Sequence, residues 1–140
     1  MRFSAKIEQT FPVSPSTLWV WLTEPERIRQ YFFGTNLVTS WQPGTTIFWR
    51  GEWEGKAYED KGTVLKFEPE KMLEYDYFSS WSEAEDIPEN YQIIRYELEA
   101  QGDHTLLTIT QSNIPTEEQK DHSVQNWKGL MEEMNRLLSE

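Results

Sequence analysis

Residues 14–31 read Ser14-Pro15-Ser16-Thr17-Leu18-Trp19-Val20-Trp21-Leu22-Thr23-Glu24-Pro25-Glu26-Arg27-Ile28-Arg29-Gln30-Tyr31. Ser14 followed by Pro15 is the signature of an N-cap with proline at the first helical position, where its missing N–H is of no consequence. A short helix carrying Leu18, Trp19 and Leu22 is predicted from there. Thr23-Glu24-Pro25-Glu26 matches the capping box T-x-x-E, so a second short helix is predicted to about Tyr31. Upstream, Phe3, Ala5, Ile7, Gln9 and Phe11 alternate with Ser4, Lys6, Glu8 and Thr10, the period-2 pattern of a half-buried strand. Two short helices directly after a single strand are an unusual order, and that order narrows the fold more than any other feature.

Downstream, from Thr35 to Gln111, no segment holds helical periodicity. Thr45, Ile47, Trp49 and Gly51 alternate with polar residues after the turn Gln42-Pro43-Gly44. Gly55 closes that strand, and Ala57 to Glu68 continues with Gly62 as a bulge or close approach before the turn at Pro69. Leu73, Tyr75 and Tyr77 form the next alternation. Residues 79–90 read as an exposed loop with Trp81 its conspicuous apolar side chain. Ile94, Tyr96 and Leu98 face Leu107, Ile109 and Gln111 across the turn Gln101-Gly102-Asp103. Short turns between successive strands make this an antiparallel meander. Thr116-Glu117-Glu118-Gln119 is a second capping-box match, opening a helix that runs toward the terminus. Val124, Trp127, Leu130, Met131, Met134, Leu137 and Leu138 form its apolar face. The expected fold is α+β: a curved antiparallel sheet of six or seven strands around a long C-terminal helix, in one domain spanning residues 1–140.

Composition sets limits on function. The chain has 140 residues, 37% of them hydrophobic and 14% aromatic, so the core must be rich in rings. The net charge of −11 opposes binding to nucleic acid or to anionic membrane surfaces, which depend on Lys and Arg. The absence of cysteine excludes thiol nucleophiles and Cys-type zinc sites. No apolar run approaches the roughly 20 residues that cross a bilayer, and the first residues lack a signal-peptide apolar region. The expectation is a cytoplasmic protein without membrane insertion.

Specific residues extend the argument. Ser14-Pro15-Ser16-Thr17-Leu18-Trp19 with Leu22 and Pro25, then Gly62 and Pro69, then Tyr96-Glu97-Leu98, Gly102 and Thr105-Leu106-Leu107-Thr108, and finally Asn126-Trp127-Lys128-Gly129-Leu130, together resemble the START-like or SRPBCC superfamily with its helix-grip fold. Within it the chain is similar to the activator of Hsp90 ATPase homologue 1-like (AHSA1-like) branch. Tyr31 stands where that family usually has Trp, and Asn126 replaces its common Gly. The matching motifs are caps, turns and core aromatics, which identify architecture more strongly than activity.

The resemblance implies a space between the bent sheet and the terminal helix. Strand parity predicts its lining as Ile47, Trp49, Leu65, Phe67, Tyr75, Tyr77, Ile94, Tyr96, Leu107, Ile109 and Gln111, opposed by Trp127, Met131 and Met134. The functional expectation is binding of a small hydrophobic, aromatic or lipid-like ligand in a pocket of about 300 to 1,000 Å³. The bland alternative is that these rings fill the space as ordinary core. A polyketide cyclase or aromatase-like enzyme is a second class, which a polar group buried in the pocket would favour. A chaperone-regulatory module acting on an Hsp90-type ATPase is a third, implied by the resemblance. No catalytic residue, metal site or cofactor is expected: the two histidines, His104 and His122, are too few for a multi-His site, and His122 reads as a solvent-exposed helix residue that could also reach the pocket mouth. Glu74 and Asp76 have outward parity and read as solvated charges, while Arg50 and Arg95 are expected to pair with neighbouring strand carboxylates.

Overall fold

The helix starts follow from local chemistry. The computed structural model describes Arg2 to Ser139 apart from Phe33, Trp81 and the side chain of Trp53. The expected role of Trp81 in its loop therefore lies outside the described residues. Ser14 Oγ accepts the N–H of Thr17 at 3.3 Å, and Pro15 opens α1 (Pro15–Thr23). Thr116 Oγ1 likewise accepts the N–H of Gln119 at 3.1 Å to start α3 (Glu117–Leu138). The other capping box is not used as the sequence suggests. Thr23 ends α1, and its hydroxyl donates back to the Trp19 carbonyl at 2.7 Å. Glu24 takes the cap position of α2 (Pro25–Tyr31) without a side-chain bond, and Glu26 pairs with Arg29.

Among the described residues the strands are β1 (Phe3–Phe11), β2 (Asn36–Val38), β3 (Thr46–Trp53), β4 (Lys56–Glu68), β5 (Met72–Tyr77), β6 (Gln92–Gln101) and β7 (His104–Ile114). They form one sheet in the order β1-β7-β6-β5-β4-β3-β2, every neighbouring pair antiparallel. The first strand thus pairs with the last, and α1 and α2 fill the connection between the two edges. α3 lies across the concave side, mainly against β1. This is the helix-grip architecture. The loop after β5 contains one 3-10 turn, Pro88–Asn90.

Gly62 marks a close approach, as expected: a Cβ built there would sit 1.9 Å from the carbonyl oxygen of Asp76 on β5. The register irregularity falls later, between Val64 and Lys66. It reverses the alternation of β4, so Val64 is fully buried while Leu65 is 36% exposed. The inward placement of Leu65 is accordingly corrected: a bulge shifts a strand's facing by one residue.

The two strand arginines pair as expected. Arg50 Nε donates to Glu59 at 2.6 Å, and Arg95 Nε donates to Glu74 at 2.7 Å. Glu74 is buried beneath that contact rather than solvated. Asp76 is half-buried and accepts the N–H of Thr63 at 2.7 Å. A buried carboxylate keeps its charge at low cost only with such partners.

Candidate functional site

The interior between sheet and α3 is not filled uniformly. Met131 and Met134, in the C-terminal half of α3, are 1% exposed and belong to a continuous core with Ile7, Ile47, Leu107 and Ile109. Beneath the N-terminal half the space opens into a cavity of about 690 Å³. Its floor is Trp49, Tyr75, Tyr77, Ile94 and Gln111, and its wall on the helix side is Trp127 and Leu130. The exposed Glu118, Gln119, His122 and Asn126 stand at its rim, with half-buried Ser123 among them.

Six of the residues expected to line a pocket do so: Trp49, Tyr75, Tyr77, Ile94, Gln111 and Trp127. The others lie elsewhere. Ile47, Leu107, Ile109, Met131 and Met134 are packed core away from the cavity. Tyr96 sits behind the lining, its ring edge-on to both Tyr75 and Trp127 at 5.7 and 5.9 Å. Phe67 stacks on Trp41 at 5.9 Å and meets Trp19 edge-on at 5.4 Å, closing off the core beside α1. His122 is both exposed and at the mouth, so its two sequence readings coincide.

Rings form a connected surface on the floor. Trp49 meets Tyr75 at 5.3 Å and Tyr77 edge-on at 5.1 Å, and Phe32 meets Trp127 at 6.5 Å from the side of α2. Edge-to-face contacts of this kind add to the burial energy and hold each ring in one orientation. The Tyr75 and Tyr96 hydroxyls share a hydrogen bond of 2.9 Å. Burial pushes the Tyr96 phenol up to about 12, and the bond from Tyr75 only moderates the shift. Burial also raises Tyr75 well above its ordinary value, reinforced by Tyr96. Both phenols are neutral hydrogen-bonding groups across the physiological range.

Two polar corners interrupt the apolar surface. In one, the indole N–H of Trp127 donates to Gln111 Oε1 at 2.7 Å, and Gln111 Nε2 donates to Gln92 Oε1. In the other, Asp60 is 7% exposed. Its Oδ1 accepts the backbone N–H and the hydroxyl of Ser80 at 2.8 and 2.9 Å, and its Oδ2 accepts the Tyr77 hydroxyl. Burial first, then the Asp60 charge, raises the Tyr77 phenol. Thr35 and Tyr58 share a further hydroxyl bond on the same side.

Sequence parity missed this second corner. Tyr58, Asp60, Gly62 and Val64 share the inward face of β4 ahead of the bulge, but parity counted back from Leu65 and Phe67 turns Asp60 outward. The usable signal was Gly62: a residue in close contact with the next strand fixes the facing of Asp60 two positions earlier. Among the described residues, no group of three or more His, Cys, Asp or Glu side chains is arranged to hold a metal ion. No described helix is long and apolar enough to cross a membrane.

The family model for the activator of Hsp90 ATPase homolog 1-like protein matches residues 12–139, nearly the whole chain. The chain belongs to this family. Among solved structures, a protein from Cytophaga hutchinsonii is 37% identical, with 98% of this chain and 94% of that one covered at a TM-score of 0.86. A Mesorhizobium loti protein is 20% identical, covering 98% and 97% at 0.80. The Aha1 dimer from Colwellia psychrerythraea is 18% identical, covering 97% and 96% at 0.76. The last two likenesses are of fold alone. No curated protein matches the sequence.

Proposed function

We propose that this activator-like domain binds a small, largely apolar molecule in the cavity between the sheet and the N-terminal half of α3. The observation that carries the reading is the cavity itself: about 690 Å³ bounded by the rings of Trp49, Tyr75, Tyr77 and Trp127. That volume suits a ligand of one to three fused rings or a medium acyl chain, and pockets of this size and character are typical small-molecule sites. Trp127 and Gln111 satisfy each other, so they shape the wall, while Gln92 and the Asp60 corner are the groups available to orient a polar end.

The test is titration with aromatic and acyl compounds, following the fluorescence of Trp49 and Trp127. Saturable change is expected in the native chain and its loss in Ser123→Trp, which plugs the mouth from a half-buried rim position. Met131→Trp would not serve, because Met131 is packed in the core. Absence of binding by any compound, or binding undiminished in a folded Ser123→Trp variant, would overturn the reading.

Two other readings each have one observation in their favour. Asp60 is a polar group buried in the cavity, which is what a cyclase or aromatase would need to move a proton. Family membership favours regulation of an Hsp90-type ATPase. Conversion of a bound aromatic precursor would support the first, and pull-down of a purified Hsp90-type ATPase that stimulates its turnover would support the second.

A further inference from the structure

Among the described residues no cation is paired with the Asp60 carboxylate. Its three donors, the Tyr77 hydroxyl and the N–H and hydroxyl of Ser80, are all neutral. A carboxylate has about four acceptor positions, and these donors occupy three, leaving one on Oδ2. The two acidic side chains of the cavity, Asp60 and Glu118, face no lysine or arginine among its described lining residues. The neighbouring Lys61 is turned away, paired with Asp86 in the loop after β5.

The rings add to this asymmetry. Tyr77 hands its hydroxyl to Asp60 and lies edge-on to Trp49 at 5.1 Å, so a negative centre and aromatic faces border the same space. Aromatic faces attract cations, most of all where water is excluded. A net charge of −11 extends the same sign of field to the approach.

We infer that the cavity selects ligands whose polar end is a protonated amine, received by Asp60 beside the rings of Trp49 and Tyr77. This rests on the cavity-binding reading and adds the chemical class of the ligand to it. An anionic end would meet the Asp60 charge without a counter-ion. A neutral hydroxyl would gain one hydrogen bond to the carboxylate, whereas an ammonium gains that bond and an ion-pair attraction in a partly dry site.

The experiment uses three isosteric probes, naphthylethylamine, naphthylethanol and naphthylacetate, measured by calorimetry on the native chain. The amine is expected to bind at least about tenfold more tightly than the alcohol, the margin left by the added ion-pair attraction in a partly dry site, and naphthylacetate most weakly. Asp60→Asn should bring the amine to the level of the alcohol. The comparison on the native chain stands even if Asp60→Asn fails to fold. Equal or tighter binding of the alcohol or of naphthylacetate would overturn the inference and leave the cavity reading intact. No binding by any of the three would overturn both.

Discussion

The indole N–H of Trp127 and the side-chain oxygen of Gln111 meet at 2.7 Å, joining α3 to β7 at the border between packed core and open cavity. Gln111 passes the bond on to Gln92 of β6, so the helix is tied to two adjacent strands through one relay.

Trp127→Phe keeps most of the apolar contact but removes the donor. A loss of about 1 to 2 kcal/mol is expected, because Gln111 Oε1 is left without its partner in a largely buried place. Trp127→Ala should cost about 3 kcal/mol, the lower end for a buried aromatic, since one face of the ring already borders open space. Urea melts of both variants check this; an alanine variant within about 0.5 kcal/mol of the native chain would contradict the burial.

Two glycines should respond oppositely to alanine. At Gly62 the new methyl would lie 1.9 Å from the Asp76 carbonyl, so the β4–β5 pair must part, and a loss of about 3 kcal/mol is expected. At Gly129 nothing lies within 4 Å, and the position is an exposed helix interior. There alanine should stabilise by about 0.5 to 1 kcal/mol. Thermal melts of the two variants side by side measure both signs.

Acid should strengthen one contribution rather than weaken it. Burial raises the Asp76 carboxyl above its ordinary value, against the opposing bond from Thr63. The folded chain therefore takes up this proton before the unfolded chain does, and the contribution of Asp76 grows as pH falls from the raised value toward the ordinary one. Asp76→Asn keeps an acceptor for Thr63 and removes the charge. It should be more stable than the native chain at neutral pH, with the difference shrinking through that window; a stability difference independent of pH would refute the assignment.

Alkali acts in the other direction. The phenols of Tyr31, Tyr75, Tyr77 and Tyr96 all sit above the ordinary tyrosine value, chiefly through burial. Above about pH 10 the unfolded chain releases these protons while the folded chain retains them, so stability must fall as pH rises. Phenolate absorbance from these four tyrosines should develop together with loss of structure. Full titration of every tyrosine in a chain that remains folded would be the contrary result.

Features decided within a few residues were legible in the sequence. Ser14-Pro15 and Thr116 cap as expected, because a cap depends on the next three positions alone. Thr23 fails the same test because its hydroxyl has a nearer acceptor, the Trp19 carbonyl, inside the helix it ends. β2, with three residues, is too short to show an alternation. In the site, parity located Trp49, Tyr75, Tyr77, Ile94 and Gln111, but it does not carry across the bulge after Val64 or distinguish the filled end of the sheet from the open one. That distinction depends on where α3 crosses. Asp60 was hidden by that same bulge: parity counted from Leu65 and Phe67 turns it outward, and its own charge gives no sign of burial.

The divided packing of α3 separates the anchoring of the helix from the lining of the cavity mouth. Met131 and Met134 anchor the helix at one end, while Glu118, Gln119, His122 and Asn126 border the cavity from exposed positions at the other. Substitutions at such surface positions usually alter stability by less than about 0.5 kcal/mol. The lining of the cavity mouth can therefore drift along a lineage one rim residue at a time, with no compensating repair in the core. The scaffold is a substrate for divergence because its mouth and its anchor share a helix but not a stability cost.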